Sequence, residues 1–159
     1  DGYDPMVMPV VHSLLQAREE IEALVRTVPA ELVWEKPNGA ASIGFHVRHL
    51  GGALDRLFTY ARGEQLSDEQ KSAVRAESGT GDALEQVAAE ANVLIDRALA
   101  QLRALTRDEL LTPRAVGRAG LPSNTIGLIF HAAEHCTRHA GQAITTARSE
   151  EHTSELQSH

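Results

Sequence analysis

The stretch PMVMPVVHSLLQAREEIEALVRTV, residues 5–28, decides the fold. Its apolar residues Val7, Val10, Leu14, Ala17, Ile21, Leu24 and Val28 recur at alternating intervals of three and four. That spacing lays a continuous stripe along a helix and has none of the two-residue alternation of a strand, so it reads as the seam of a helical bundle. Pro5 suits a first helical turn, where its missing N–H has no partner to lose. Pro29 and then Pro37-Asn38-Gly39 interrupt the pattern, so residues 30–41 are expected to form a connection with Trp34 packed inward.

Three further segments carry helical periodicity. Ser42 is the expected N-cap of a second helix that runs to about Arg62, where Gly63 supplies a stop. Its seam is Ile43, His46, Leu50, Ala53, Leu57 and Tyr60. Residues 67–81 are polar and hold two glycines, which predicts a loop with room for one helical turn. Asp82 then caps a third helix from Ala83 to about Leu105, with Leu84, Val87, Ala91, Leu94, Ala98 and Leu102 inward. A longer connection, residues 106–122, contains Pro113, Gly117, Gly120 and Pro122, and Ser123 or Asn124 caps the fourth helix. Four amphipathic helices of about 20 residues without strand-like alternation predict an all-α four-helix bundle. Because the connections are unequal, a plain up-down-up-down order is not required.

Composition narrows the function. A chain of 159 residues suits one domain with one core. With 22 acidic against 15 basic residues and a formal charge of −7, it lacks the clustered cations of a nucleic-acid surface or an anionic-membrane binder. No apolar run approaches the roughly 20 residues that span a bilayer. No basic-then-apolar signal segment opens the chain, and the single Cys136 cannot form an internal disulfide, so a reducing, cytoplasmic setting is expected. The last residues, RSEEHTSELQSH (148–159), look like the translation of a DNA-sequencing adapter. The bundle is therefore expected to occupy residues 1–147, with 148–159 outside the fold and His152 and His159 outside any ligand set.

The fourth helix carries an apolar seam of Ile126, Ile129, Ala133, Ala140 and Ile144, and beside it a polar row of His131, His135, His139 and Gln142. Residues four apart on a helix differ by about 40° in direction and about 6 Å in height. His135 and His139 can thus aim at one point, as helical histidine pairs do on Zn²⁺. A third ligand must come from another helix, and the second offers His46 and His49. Spacing does not choose between them: His46 lies on the apolar seam, where it also reads as a hydrogen-bonded core histidine, and His49 lies beside it.

The residues SIGFHVRHLGGALDRLFTYARG (42–63) and HAAEHCTRHAGQ (131–142) resemble the second- and fourth-helix motifs of the DinB-like (DinB/YfiT) superfamily. The opening DPMVMPVVHSLLQAREEIEAL and the segment VWEKPNGAASIGFHVRHL are similar to its proteins as well, so the resemblance spans residues 4 to about 147. It implies a four-helix bundle, commonly a homodimer, that holds a divalent metal such as Zn²⁺ or Ni²⁺. Carried over by position, the metal triad falls on His49, His135 and His139, with His46 and His131 as neighbours of the site.

Three imidazoles leave a coordination position open, as in catalytic zinc sites. A thiol or water there would lose its proton near neutral pH. Because characterised relatives include thiol-dependent transferases and isomerases, the expected activity is metal-assisted activation of a low-molecular-weight thiol for transfer to an electrophilic small molecule. Hydrolysis is the nearest variant, and a non-enzymatic, stress-response metal-binding bundle is the other class. No Asp or Glu shares the face of His135 and His139. His46 or His131 is then the candidate for proton transfer, and Gln142 the candidate for a bond to a ligand. Gly51, Gly52 and Gly141 weaken helices by about 1 kcal/mol each, which close helix approach or a lax surface would explain. Cys136 is expected to be a buried, inert thiol. Asp55 and Arg56 read as a solvated or helix-linking pair. Substrate contacts are expected from residues 67–81 and 106–122.

Overall fold

The computed structural model describes residues 2–157, with side chains through residue 151. Asp4 accepts a hydrogen bond from the Met6 amide and starts a 3-10 turn, Pro5–Val7, that leads into α1, Met8–Thr27. The seam read from the sequence is the buried side of α1: Val10, Leu14, Ala17, Ile21 and Leu24 are all buried. The connection to the second helix contains 3-10 turns at Ala30–Leu32 and Pro37–Gly39. Trp34 is half-buried against the core, and its indole N–H donates to the Asp82 carbonyl at 2.9 Å.

Ser42 caps α2, Ile43–Ala61, by accepting from the Phe45 amide. The buried arc of α2 is wider than its sequence seam and takes in Val47, Leu54 and Phe58, whereas Leu57 and Tyr60 are only half-buried. The reason is position, since α2 packs against two long helices at once. Residues 67–81 depart from the expected loop. Ser67 and Gln70 form a reciprocal capping box, and a nine-residue helix, α3 (Asp68–Ala76), follows it. The next helix, α4, spans Leu84–Ala104 with Ala83 at its N-cap. Asp82 is not the cap, because its carboxylate is taken by Arg48 at 2.5 Å.

The connection after α4 also holds structure that periodicity did not reveal. Pro113–Val116 (β1) and Leu121–Asn124 (β2) pair antiparallel, and the Arg114 guanidinium donates to the Ala61 carbonyl at the end of α2. Strands of four residues, one of them opening on proline, are too short to show alternation. Asn124, of the two candidate caps, accepts from the Gly127 amide at the start of α5, Thr125–Gln157. No break marks residue 147, where Ala147 is buried and the helix continues. The exclusion of His152 and His159 as ligands concerns side chains outside the described residues.

The all-α bundle expected from the sequence is present. Its helices α1 and α2 each pack against both α4 and α5. Helices consecutive in sequence, α1 with α2 and α4 with α5, therefore stand on diagonals, and the connections on either side cross the bundle. This arrangement places α2 directly beside α5, which is what brings the two histidine-bearing helices together. Among the described residues, no helix is long and apolar enough to cross a membrane.

Candidate metal centre

Four of the histidines on α2 and α5 meet where the two helices pack. His49, His135 and His139 offer ligand nitrogens that all lie within 4.8 Å of one another. Nε2 of His49 is 3.0 Å from Nε2 of His135. The His139 ring lies 4.4 Å from that of His135 and 4.6 Å from that of His49, centroid to centroid. Their donor chemistry fits a divalent ion with nitrogen preference: three imidazoles converge from two helices, and no carboxylate is among the three.

Two of the three rings are held from behind. Nδ1 of His49 sits 2.7 Å from Oε2 of Glu77, which leaves Nε2 for the centre of the cluster. Phe45 stacks on the His49 ring with an interplanar angle of 8°. Nδ1 of His139 sits 3.0 Å from Nδ1 of His46, which likewise leaves Nε2 free. Such hydrogen bonds to the far nitrogen fix ring orientation and tautomer. The two candidates that spacing left open on α2 thus both reach the cluster, His49 beside His135 and His46 behind His139.

Electrostatics favour the neutral form of His139, His135 and His46. Burial first, then the neighbouring His135, His49 and His46 and the Arg138 cation, push His139 down to about 4. His135 is held below the ordinary histidine value by burial and by His49, His131, Arg138 and Arg56, and His46 by burial and His49. A neutral imidazole is the form that binds a metal.

Other expected residues stand further out. The His131 side chain is 60% exposed, lies 3.8 Å from Glu134, and its ring is 6.1 Å from that of His135. Gln142 is exposed on α5. Arg56 and Asp55 link helices, but not as a pair with each other: Arg56 bonds Glu77, and Asp55 accepts from Gln70 at 2.7 Å.

Sequence reasoning missed Glu77. It lies just past α3, is only 7% exposed, and receives Arg56 on Oε1 and His49 on Oε2. Its segment has no apolar periodicity, and the sole readable signal was the capping box at Ser67 and Gln70. Glu77 also borders a cleft of about 590 Å³ lined by Arg48, Gly52, Gly79, Thr80 and Asp82 among others.

The fold and the cluster define a helical-bundle protein with a histidine site between two neighbouring helices. The profile of the DinB superfamily matches residues 13–143, and the chain belongs to that superfamily. Two solved structures share the fold. A conserved protein from Enterococcus faecalis superposes with a TM-score of 0.70 at 14% identity, covering 89% of this chain and 95% of its own. A DinB-like protein from Bacillus cereus ATCC 10987 superposes with a TM-score of 0.67 at 17% identity, covering 91% and 93%. No curated protein matches the sequence.

Proposed function

We propose that this chain binds a divalent metal, Zn²⁺ or Ni²⁺, through His49, His135 and His139, and that the loaded site activates a small thiol for transfer to an electrophile. The observation that carries the reading is the convergence of three imidazoles within 4.8 Å, two of them braced on their far nitrogens by Glu77 and His46. A metal held there would supply positive charge to a thiol or water at its remaining position, lowering that group's pKa. The protein's own residues orient His49 and His139, and burial favours the neutral form of His135 and His139. His46 and His131 are the groups placed to accept or return a proton, His46 from within the cluster and His131 from its exposed rim, and Gln142 is the polar side chain one turn further on. The His49 side chain is 22% exposed, which favours a site open to a small molecule over a sealed structural ion.

The test is metal analysis of the purified protein together with a screen of low-molecular-weight thiols against electrophiles. We expect near-stoichiometric metal, its loss in His135→Ala, and turnover that depends on both thiol and metal. Turnover with metal but without thiol would move the assignment to hydrolysis. Bound metal with no turnover would favour a non-enzymatic metal-binding role. Metal content unchanged in His135→Ala would defeat the site itself. For the bundle we propose residues 1–147, with 148–159 an adapter-derived extension whose deletion shortens α5 but leaves unfolding stability and metal content unchanged.

A further inference from the structure

We propose that Glu77 is the positioning residue of this site, and that α3 serves to deliver it, so that metal occupancy and the docking of α3 are coupled. The inference rests on the metal reading of His49, His135 and His139.

Burying a carboxylate is costly unless its oxygens are paired. Both oxygens of Glu77 are: Oε2 meets Nδ1 of His49 at 2.7 Å and Oε1 meets the Arg56 guanidinium. Room is made for it at Gly52. A Cβ there would overlap Glu77 Oε1 and stand 2.9 Å from Arg56 Nη1, which accounts for a glycine inside α2. With a carboxylate accepting from Nδ1–H, the lone pair of His49 is placed on Nε2, the nitrogen that faces His135.

The segment that carries Glu77 has no apolar anchor of its own, since α3 buries no residue. It is held instead by polar contacts along one stripe of α2. Gln70 donates to Asp55 and to Thr59, each at 2.7 Å, and Arg48 donates to the Gly79 carbonyl at 2.6 Å. Arg48, Gly52, Asp55 and Thr59 fall at intervals of four, three and four, with Arg56 one turn on from Gly52, so the stripe is a docking track for α3. An element held this way opens more readily than the apolar core. If docked α3 raises metal affinity through His49, bound metal must stabilise docked α3 by the same factor.

The experiment measures Zn²⁺ affinity of the full chain by competition with a chromophoric chelator, and amide exchange of residues 68–77 with and without Zn²⁺. Glu77→Ala is expected to weaken binding by about 10–100-fold. Glu77→Gln recovers part of the loss, because its amide oxygen still accepts from Nδ1–H. Gly52→Ala, which keeps every polar group, weakens binding by displacing Glu77. Zn²⁺ slows exchange in α3 of the wild type and not of Glu77→Ala. In the metal-free protein, imidazole ¹⁵N spectra show His49 protonated on Nδ1, and Glu77→Ala shifts it towards Nε2–H.

Wild-type affinity in a folded Glu77→Ala, or α3 exchange indifferent to Zn²⁺, overturns the proposal. Should Glu77→Ala not fold, Glu77→Gln and Gly52→Ala decide it in the same way. A wild type that binds no Zn²⁺ defeats the metal reading and the coupling with it. A wild type that binds, a His135→Ala that does not, and Glu77 variants that bind normally defeat the coupling alone.

Discussion

His49 and His135, 86 residues apart in sequence, bring their Nε2 atoms to 3.0 Å of each other across the contact of α2 with α5. Two nitrogens bound tetrahedrally to one ion at about 2.0–2.1 Å are separated by about 3.3 Å, so little rearrangement divides this pair from a ligating one. Two apposed imidazoles without an ion must share a proton between them, which ties the pair to a single tautomer choice. Binding energy realised at this contact is realised only in the folded state.

Metal should therefore stabilise the fold. At free Zn²⁺ about 100-fold above its dissociation constant, mass action contributes about 2.7 kcal/mol, or roughly 5–10 °C in Tm for a domain of this size. Thermal scans with Zn²⁺, with chelator and with both in sequence check it. In His135→Ala the shift should vanish; an equal shift in that variant would place the metal elsewhere.

Acid should destabilise the metal-free protein earlier than exposed carboxylates would. His139 is pushed down to about 4, and His135 and His46 are also held below the ordinary value near 6.5. Between those limits the unfolded chain binds more protons than the folded one, so stability rises with pH through that window. The contribution is complete above about 6.5 and is lost as pH falls from there towards 4. Urea midpoints of chelator-treated protein at pH 7.5, 6.5, 5.5 and 4.5 should decline stepwise below 6.5. A flat profile from 7.5 to 5 would mean that these rings are solvated.

The helical glycines should separate by what surrounds them. A Cβ on Gly44 would lie 2.5 Å from the Trp34 ring, and one on Gly51 would lie 3.0 Å from the Ala91 Cα of α4. Gly44→Ala and Gly51→Ala are each expected to cost about 1–3 kcal/mol through overpacking. Around Gly141 nothing approaches within 4 Å, so close helix approach does not explain it. Gly141→Ala should stabilise by about 1 kcal/mol. Denaturant unfolding of the three variants checks the order, and a destabilised Gly141→Ala would break it.

The long helices were legible because an apolar residue every three or four positions has few other uses, and Leu14, Ile21, Leu50 and Leu102 are buried where that pattern puts them. What the pattern lacks is a neighbour list, so the diagonal placement of α1 and α2 could not be read from it. Polar docking is invisible to periodicity for the same reason. Gln70, Arg56 and Glu77 are ordinary surface residue types until the fold sets them against Asp55, Gly52 and His49. At the site, helical spacing carried the His135–His139 pair, but both His46 and His49 fall within reach of the buried arc of α2. Their division of labour depends on which ring of α5 each one faces, and only the packing of α2 on α5 decides that.

Cys136 adjoins His135 in sequence yet is fully buried in the core, where burial pushes its thiol up to about 12. Thiolate is the reactive form, so at pH 8 the folded protein should resist a disulfide-exchange reagent and react fully only after denaturation. Cys136→Ala should leave metal content unchanged. Cys136→Ser should cost about 1–3 kcal/mol, because a hydroxyl there would be buried without a partner. Labelling of the native protein at the rate of a free thiol would contradict the burial. Metal lost in Cys136→Ala with helical content retained would show that this face of α5 contributes to the site.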